Sequence, residues 1–443
     1  MNYSEVEQIV AMLVLISTNN KYYVFDPART IAFTVDRKAY LEFKNIQNGG
    51  INHVDKNTIN LIQSQVEKIK NIAEHKIISG SSYLLSQLVL LLTNDCNMRC
   101  LYCYSYGGRE KNQIDVKMAK EAVKYVLGNV VRSGQNRFNI SYHGGGEPTL
   151  AFDLLKNIQK YSKEQCNNKG IEFRSRITSN GLWNDEIGEW IVDNIDSILL
   201  SVDGPEDIME KHRPTNNNMP SLPTIEESIK KIKKNGRVIK IRSTISDYSV
   251  ERLEEIVEYF SSLGASYVQL EPLTSTGRAT ESKIKRPDAK RFIENFIRAF
   301  KRGERNGCKV KCSYLRPIRY SNSFCGALGR VFILSPAGNI STCHRVDTYD
   351  DIGGNNLLIG KIDYKDNVIK LDDQKIHNLQ SNSSNKNKDC NICIARYSCS
   401  GGCYAQNAAV SGDILKSDPY RCVITKGLTK EYLSKYLYKY VSY

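Results

Sequence analysis

Six short apolar runs between residues 88 and 272 alternate with amphipathic segments, and this alternation limits what the chain can fold into. Each run has the length of a strand, and each is followed by a segment with helical periodicity. Repeated strand–helix units predict a parallel sheet covered by helices, and right-handed crossovers favour a barrel or partial barrel. We therefore predict an α/β fold in which ligands bind at the carboxyl ends of the strands. The predicted strands are Leu88–Leu92, Phe138–Tyr142, Arg174–Thr178, Ser197–Val202, Ile239–Thr244 and Tyr267–Pro272.

The first predicted strand leads directly into a loop with three closely spaced cysteines. Cys96, Cys100 and Cys103 lie within eight residues, so one metal centre can take all three thiolates. Three thiolates leave one iron of a cubane [4Fe-4S] cluster without a protein ligand, and an open metal position is where a reactant binds. A zinc knuckle is the alternative for such a group of cysteines.

The spacing Cys-x3-Cys-x2-Cys, with Tyr102 before the third cysteine, resembles the signature of the radical S-adenosylmethionine (SAM) superfamily. The resemblance implies that SAM chelates the open iron and that the reduced cluster cleaves SAM to a 5′-deoxyadenosyl radical. It also implies a partial (β/α)6 barrel over residues 81–306. Cys96, Cys100 and Cys103 would then be the catalytic ligands, and Tyr102 would lie beside the cofactor.

Polar and glycine-rich segments follow the next three predicted strands. The second strand ends in His143-Gly144-Gly145-Gly146-Glu147-Pro148, where glycines allow the backbone to approach a ligand closely. This segment resembles the GGEP motif that binds the amino group of SAM, and the resemblance extends SAM contacts to the later strand ends. Simple turn chemistry is the alternative for those ends. The residues carried over are Gly145, Gly146, Glu147, Ser179, Asn180, Ser201 and Asp203.

Two residues inside the later strands are further candidates for SAM contacts. Arg242 needs an anionic partner if it faces the barrel interior, and the SAM carboxylate would serve. An outward-facing, solvated Arg242 is the alternative. Leu270 is a candidate for packing on adenine, although a leucine in a strand is more often part of the core. The segment His212-Arg213-Pro214 is a candidate for reaching substrate or SAM.

A second group of cysteines fills the region from residue 307 to 443. Its spacing resembles the SPASM motif, the auxiliary-cluster domain of peptide-modifying radical SAM enzymes. The resemblance assigns Cys325, Cys343 and Cys403 to one auxiliary [4Fe-4S] cluster. Cys312 is our candidate for its fourth ligand and Cys308 is a second candidate; if neither binds, the cluster has an open iron that could hold a substrate thiolate. Two zinc ribbons are the alternative. The ligands assigned to the other auxiliary cluster are Cys390, Cys393, Cys399 and Cys422.

The residue after the second cysteine of this array departs from one branch of the family. Sulfatase maturases are expected to carry an acidic residue there, whereas this chain has His344. The departure argues against formylglycine formation and favours another peptide modification.

Residues 1–80 precede the cysteine motif and form a separate predicted unit. Two strands around Lys21–Phe25 and Thr30–Val35 and helices at Arg37–Asn48 and Asn57–Glu74 resemble the winged-helix-like element that recognises precursor peptides. A plain packing extension is the alternative. We expect three parts: a leader-binding α+β domain at 1–80, the radical SAM partial barrel at 81–306 and a SPASM domain at 307–443.

The charge balance predicts an anionic partner, with a generally basic, lysine-rich surface as the alternative, and we expect the protein in the cytoplasm. Lys and Arg outnumber Asp and Glu by 62 to 48, giving a net charge of +14. Thirteen cysteines without a signal peptide predict metal chemistry rather than disulfides. We expect no membrane partner and no nucleic acid, but a flavodoxin- or ferredoxin-type reductant.

The sequence thus predicts a radical SAM peptide maturase with SAM and three [4Fe-4S] clusters. Its substrate would be a ribosomally synthesised precursor peptide, and its product a thioether or carbon–carbon crosslink. The alternatives are a sulfatase-maturase-like or epimerising radical SAM enzyme and, from another class, a zinc-ribbon nucleic-acid-binding protein.

Overall fold

Fourteen strands are present in the described part of the chain. The computed structural model describes residues 3–18, 21–50, 59–60, 62–64, 66–67, 84–316, 321, 323–363, 365–382, 390 and 393–437. The strands are β1 (Val14–Thr18), β2 (Lys21–Asp26), β3 (Ile31–Val35), β4 (Gln87–Leu91), β5 (Arg137–His143), β6 (Glu172–Ser179), β7 (Ser197–Ser201), β8 (Lys240–Ile245), β9 (Tyr267–Pro272), β10 (Lys309–Lys311), β11 (Val331–Leu334), β12 (Asn339–Ser341), β13 (Leu358–Ile362) and β14 (Ile369–Leu371).

Eleven of these strands form one sheet at the centre of the fold. Their order is β10-β9-β8-β7-β6-β5-β4-β11-β12-β13-β14. The six predicted strands are confirmed as β4 to β9, which are neighbours in chain order and parallel throughout. The predicted α/β class with a partial barrel is therefore confirmed.

Helices connect the parallel strands and cover one face of the sheet. Several begin at a polar side chain that caps the first turn; Asp115, for example, accepts hydrogen bonds from the amides of Lys117 and Met118. The helices are α1 (Tyr3–Met12), α2 (Arg37–Gln47), α3 (Val116–Arg132), α4 (Phe152–Asn167), α5 (Asp185–Asn194), α6 (Glu206–His212), α7 (Leu222–Lys234), α8 (Leu253–Ser262), α9 (Ala289–Arg305), α10 (Gly354–Leu357), α11 (Asp373–Ser381), α12 (Arg396–Cys399), α13 (Tyr404–Ser411) and α14 (Pro419–Tyr436).

The two faces of the parallel sheet differ in chemistry because side chains alternate along each strand. The outer face, beneath the helices, carries apolar residues such as Leu90, Tyr142 and Ile241, all fully buried. The inner face carries polar and charged residues such as Ser141 and Arg242. The core therefore lies between sheet and helices, and the concave inner face is left for ligands.

The central sheet continues past residue 306, where the sequence predicts a domain boundary. The short strand β10 pairs in parallel with β9, and β11 pairs in parallel with β4 on the other side. Strands β12 to β14 then extend the sheet in antiparallel fashion. The cysteine-rich region is thus joined to the barrel by main-chain hydrogen bonds, and the division at 306 stays a prediction.

The N-terminal region forms a separate antiparallel sheet of order β1-β2-β3. One face packs on α1 and α2 through Val24 and Phe33, and the other contacts Leu433 and Leu437 at the C-terminal end of the chain. The α+β character is confirmed, with β1 as an additional strand. The predicted helix Asn57–Glu74 lies largely outside the described residues, although Ile59, Ile62 and Val66 are helical and buried.

No helix within the described residues has the length and apolar character needed to cross a membrane.

The stability of the barrel depends on the apolar face of its strands. Leu90 in β4 is fully buried, so Leu90→Ala is expected to cost about 2–5 kcal/mol of unfolding free energy through lost packing and a cavity. Val131 in α3 is 47% exposed, and the matched change Val131→Ala should lie within about 0.5 kcal/mol of wild type. Thermal denaturation followed by circular dichroism compares the two, and equal midpoints would contradict the assigned core.

Candidate active site

A cavity of about 150 Å³ lies at the carboxyl ends of the barrel strands. The cysteine loop after β4, the glycine loop after β5 and the ends of β6 and β7 enclose it. This is the edge at which the sequence places the ligands. The sequence-predicted residues on its wall are Cys96, Cys100, Cys103, Tyr102, Gly145, Gly146, Glu147, Ser179, Asn180, Ser201 and Arg213.

The three thiols of the cysteine loop face this cavity with hydrogen-bond donors directed at two of the sulfurs. The Gly107 amide donates to Cys103 Sγ at 3.3 Å, and Arg213 Nη1 donates to Cys100 Sγ at 3.7 Å. Burial raises the pKa of the Cys100 thiol to about 11, although the Arg213 charge lowers it in part. Buried thiolates of this kind need a cation, and donors to the sulfurs are typical of Fe–S ligands. The donor set therefore fits a [4Fe-4S] cluster.

The glycine loop packs directly against the cysteine loop. The Gly146 amide donates to the carbonyl of Thr93 at 2.7 Å, and the Glu147 amide donates to the carbonyl of Asp95 at 2.8 Å. A Cβ atom on Gly146 would overlap the backbone of Asp95. Glycine is therefore required here because two backbones meet, in addition to any close approach of a ligand.

Glu147 is a buried carboxylate that connects the ends of two strands. Its Oε1 accepts from Ser179 Oγ at 2.7 Å and from Thr149 Oγ1 at 2.8 Å, and its Oε2 accepts from the Asn180 amide at 2.8 Å. Burial raises its pKa despite these donors. Asn180 in turn donates to Asn97 in the cysteine loop at 2.7 Å. These bonds fix three cavity walls relative to one another.

Asp203, at the end of β7, is fully buried and lies behind the cavity wall rather than on it. Its carboxylate accepts from Tyr102 OH at 2.5 Å and from the Thr244 amide at 2.9 Å, and it pairs with Arg213 at 3.2 Å. His212 Nδ1 is 3.1 Å away. Burial alone would raise its pKa, but Arg213 and His212 outweigh this and lower the pKa to about 2. Asp203 therefore holds Tyr102 and Arg213 in place.

The structure does not bring Arg242 or Leu270 to the cavity wall. Leu270 is fully buried on the helix-covered face, in register with Ser243 of β8. Arg242 lies on the inner face, level with Ser201 of β7 and Gln269 of β9. Of the two readings of Arg242 left open by the sequence, the structure gives the inward-facing one. A contact of either residue with SAM stays a prediction.

Two contributions to the cysteine loop were missed by the sequence analysis. Arg278, after β9, donates to the carbonyls of Cys100 at 2.8 Å and Gly107 at 3.0 Å. Tyr104 donates to the carbonyl of Gly144 at 3.2 Å. Nothing in their local sequence indicates these roles, because the partners are about 40 and 170 residues away along the chain.

The cysteines of the C-terminal region fall into two groups. Cys343 lies within electrostatic reach of Cys325 and Cys403, and burial followed by the Cys403 charge raises its pKa to about 12. Cys422 lies in the same way beside Cys399, Cys390 and Cys393. These are the two sets that the SPASM resemblance assigns to separate clusters.

The two candidates for a fourth ligand lie at opposite ends of β10. Cys308 precedes the strand, and burial raises the pKa of its thiol although a hydrogen bond with Ser261 lowers it in part. Cys312 follows the strand and shares the nearby charges of Arg316 and Arg421 with Cys325. In the residues described, no group of three or more His, Cys, Asp or Glu converges tightly enough for a single metal ion. The ligand role of Cys312 stays a prediction.

The buried Asp203 network should contribute more to stability than a surface ion pair on the next helix. Asp203→Asn leaves the buried Arg213 charge without its partner, at a cost of about 3–5 kcal/mol in unfolding free energy. Asp207 is 48% exposed and pairs with Arg252, so Asp207→Asn should cost no more than about 1 kcal/mol. Urea denaturation compares them. Similar midpoints for the two variants would show that Asp203 does not organise the loop.

Residues 90–260 match the Radical SAM superfamily. A cysteine-type anaerobic sulfatase-maturating enzyme of Clostridium perfringens is 22% identical over 340 residues, which cover 72% of this chain and 88% of that enzyme. An uncharacterized protein of Methanocaldococcus jannaschii is 30% identical over 189 residues, 43% of this chain; the match spans 63% of that relative's length.

Solved structures with a similar fold cover more of the chain. Native anSMEcpe with bound AdoMet has a TM-score of 0.61 at 17% identity and covers 80% of this chain and 98% of its own. Streptococcus suis SuiB bound to the precursor peptide SuiA has a TM-score of 0.56 at 15% identity, and the match covers 93% of this chain and 98% of that one. At these identities the likeness shows a shared fold. Residues 90–260 therefore form a radical SAM domain, and the chain is an enzyme with the fold of the SPASM-type peptide and sulfatase maturases.

Proposed function

We propose that this radical SAM enzyme modifies a ribosomally synthesised peptide by forming a thioether or carbon–carbon crosslink. Support comes from the likeness to SuiB, whose structure holds a precursor peptide, over 93% of this chain. The excess of Lys and Arg fits an acidic leader peptide, which the N-terminal sheet would bind by strand addition.

Each part of the site has a proposed role. Cys96, Cys100 and Cys103 would hold the catalytic cluster, and SAM would lie against Glu147 and Ser201. When bound, SAM and the clusters supply the radical that removes a hydrogen atom and an acceptor for the remaining electron. The protein's own contribution is to orient these groups and exclude water. Arg213 and Arg278 would fix the loop that carries the thiols.

The observation that carries the proposal is the contact between the two cysteine regions. Tyr104, next to Cys103, has its ring centroid 5.4 Å from that of His344, next to Cys343. His344 also stacks on His143 at 4.8 Å. A second cavity of about 230 Å³ adjoins these rings and reaches Gly145. A peptide side chain between the two regions would therefore meet both the SAM site and an auxiliary cluster.

We assign the auxiliary clusters as the sequence predicts. One would be bound by Cys312, Cys325, Cys343 and Cys403, and the other by Cys390, Cys393, Cys399 and Cys422. The thiols of both donor sets are buried or half-buried. A flavodoxin- or ferredoxin-type protein of the cytoplasm would supply electrons.

Formylglycine formation is a second candidate, because the sulfatase-maturating relative matches 72% of this chain. His344 distinguishes the two. Burial lowers its pKa well below the usual range, so the ring stays neutral where an acidic residue is expected in sulfatase maturases. Incubation with a sulfatase-derived cysteine peptide, followed by mass spectrometry, separates the candidates: loss of the thiol sulfur with gain of an aldehyde would favour formylglycine.

The catalytic assignment predicts that Cys96→Ala, Cys100→Ala and Cys103→Ala each abolish release of 5′-deoxyadenosine after dithionite reduction. Each change removes one of three thiolates that would hold the cluster. Cys166→Ala is the matched control, since this buried thiol lies on α4, away from the cavity, and should keep full release. The variants should still bind iron in the C-terminal region. Wild-type release from any of the three loop variants would contradict the assignment.

A further inference from the structure

One row of side chains on the inner face connects the cysteine cavity to the free edge of the sheet. Ser201 of β7 is in register with Arg242 of β8, Arg242 with Gln269 of β9, and Gln269 with Lys311 of β10. Residues in register on parallel strands point to the same side. Ser201 lines the cysteine cavity, and Lys311 lines another cavity of about 550 Å³ at the β10 edge.

The inner face along these strands carries more positive than negative charge. Five of its cations have no ion pair within the described residues. Of the acidic groups, Glu172 pairs with Arg137 and Arg174, and Glu271 is occupied by Ser313 and Gln269. The five cations are Arg176, Lys240, Arg242, Lys309 and Lys311.

Arg242 holds the central position among these cations. It is half-buried, and both Arg176 and Arg242 lie within electrostatic reach of Tyr267. Its charge is also within electrostatic reach of Tyr104, His143 and His344, which lie towards the cysteine-cavity end of the row. A half-buried guanidinium without a carboxylate partner is costly, and an anionic ligand would offset that cost.

The larger cavity provides an entrance to this row of inner-face side chains at the edge of the sheet. Its wall combines the inner-face residues Tyr267, Gln269 and Lys311 with the rings of Phe300 and Tyr432. The edge strand β10 has three residues and pairs on one side, with β9. A peptide can therefore pass this edge and lie along the row without displacing a strand.

We infer that the inner-face row is a specificity site for an acidic residue of the substrate peptide, held by Arg242 and Lys311. The inference rests on the proposed function and adds a substrate class to it. Three strand spacings separate Ser201 from Lys311, or roughly 14 Å, which about four extended residues span. The substrate then carries Asp or Glu within about four positions of the residue that is modified.

The positive charge of the inner-face row should make the enzyme bind an acidic peptide more tightly than a matched neutral one. These are fluorescein-labelled Gly-Glu-Gly-Glu-Gly-Glu-Gly and the same peptide with Gln for Glu, titrated into reconstituted, SAM-loaded enzyme and followed by anisotropy. We expect the Glu peptide to bind at least about fivefold more tightly. Arg242→Gln/Lys311→Gln should reduce the preference to less than about twofold.

The control variant is Lys163→Gln/Lys169→Gln, which has the same net charge but changes exposed cations at the far end of α4. It should keep the preference. Equal loss in both double variants would assign the effect to overall charge, and no preference in wild type would remove the site; either result overturns the proposal.

Equilibrium dialysis of SAM distinguishes the remaining reading of Arg242. Loss of SAM affinity in Arg242→Gln/Lys311→Gln would assign Arg242 to the SAM carboxylate and overturn the proposal, whereas unchanged affinity supports it. Peptide binding does not require turnover. Failure of wild-type enzyme to release 5′-deoxyadenosine would therefore contradict the proposed function alone.

Discussion

The buried carboxylate of Asp203 is the interaction on which the arrangement of the site depends. The cysteine loop has little regular structure of its own, so its shape must come from contacts with the strand ends. Asp203 supplies them by binding Tyr102, which lies between two of the cysteines, and Arg213, which reaches Cys100. A carboxylate with this many donors stays ionised, as its pKa of about 2 indicates, and keeps both partners in one geometry.

The continuous sheet has a comparable effect at larger scale. Because β11 pairs with β4, the strand that leads into the cysteine loop, the C-terminal region is bonded to the same scaffold as the cysteine cavity. The next strand, β12, leads directly to Cys343 and His344. The ring contact between Tyr104 and His344 thus joins the segments that follow β4 and β12, two strands of the same sheet with β11 between them. The peptide modification that we propose would need such fixed spacing between the radical source and the group that completes the reaction.

Much of this fold could be predicted because strand and helix periods are clear between residues 88 and 306. The strands β10 to β14 were missed, since three to five residues are too few to show a clear period. At the site, residues followed from position: a polar group at the carboxyl end of a parallel strand faces the ligand edge, as Glu147, Ser179 and Ser201 do. Asp203 meets the same criterion yet lies behind the wall, because its partner Arg213 is placed by α6, which was not predicted.

Register explains the remaining differences. Leu270 is one residue from Gln269, and this single step moves its side chain from the groove to the core. The run from Ile241 to Thr244 has mixed polarity, so the sequence does not show which of its side chains face the barrel interior. The structure decides it through pairing with β7 and β9 and places Arg242 in the groove, where it meets the substrate in our account.

The central claim is that one scaffold holds a catalytic and two auxiliary clusters, and the iron content of the reconstituted protein tests it most directly. Three cubane clusters predict about twelve irons and about twelve sulfides per chain. The triple variant Cys96→Ala/Cys100→Ala/Cys103→Ala should bind about eight, because it would lose one cluster. Saturation of the wild type at about four irons, with zinc in the remaining cysteine sites, would contradict the account.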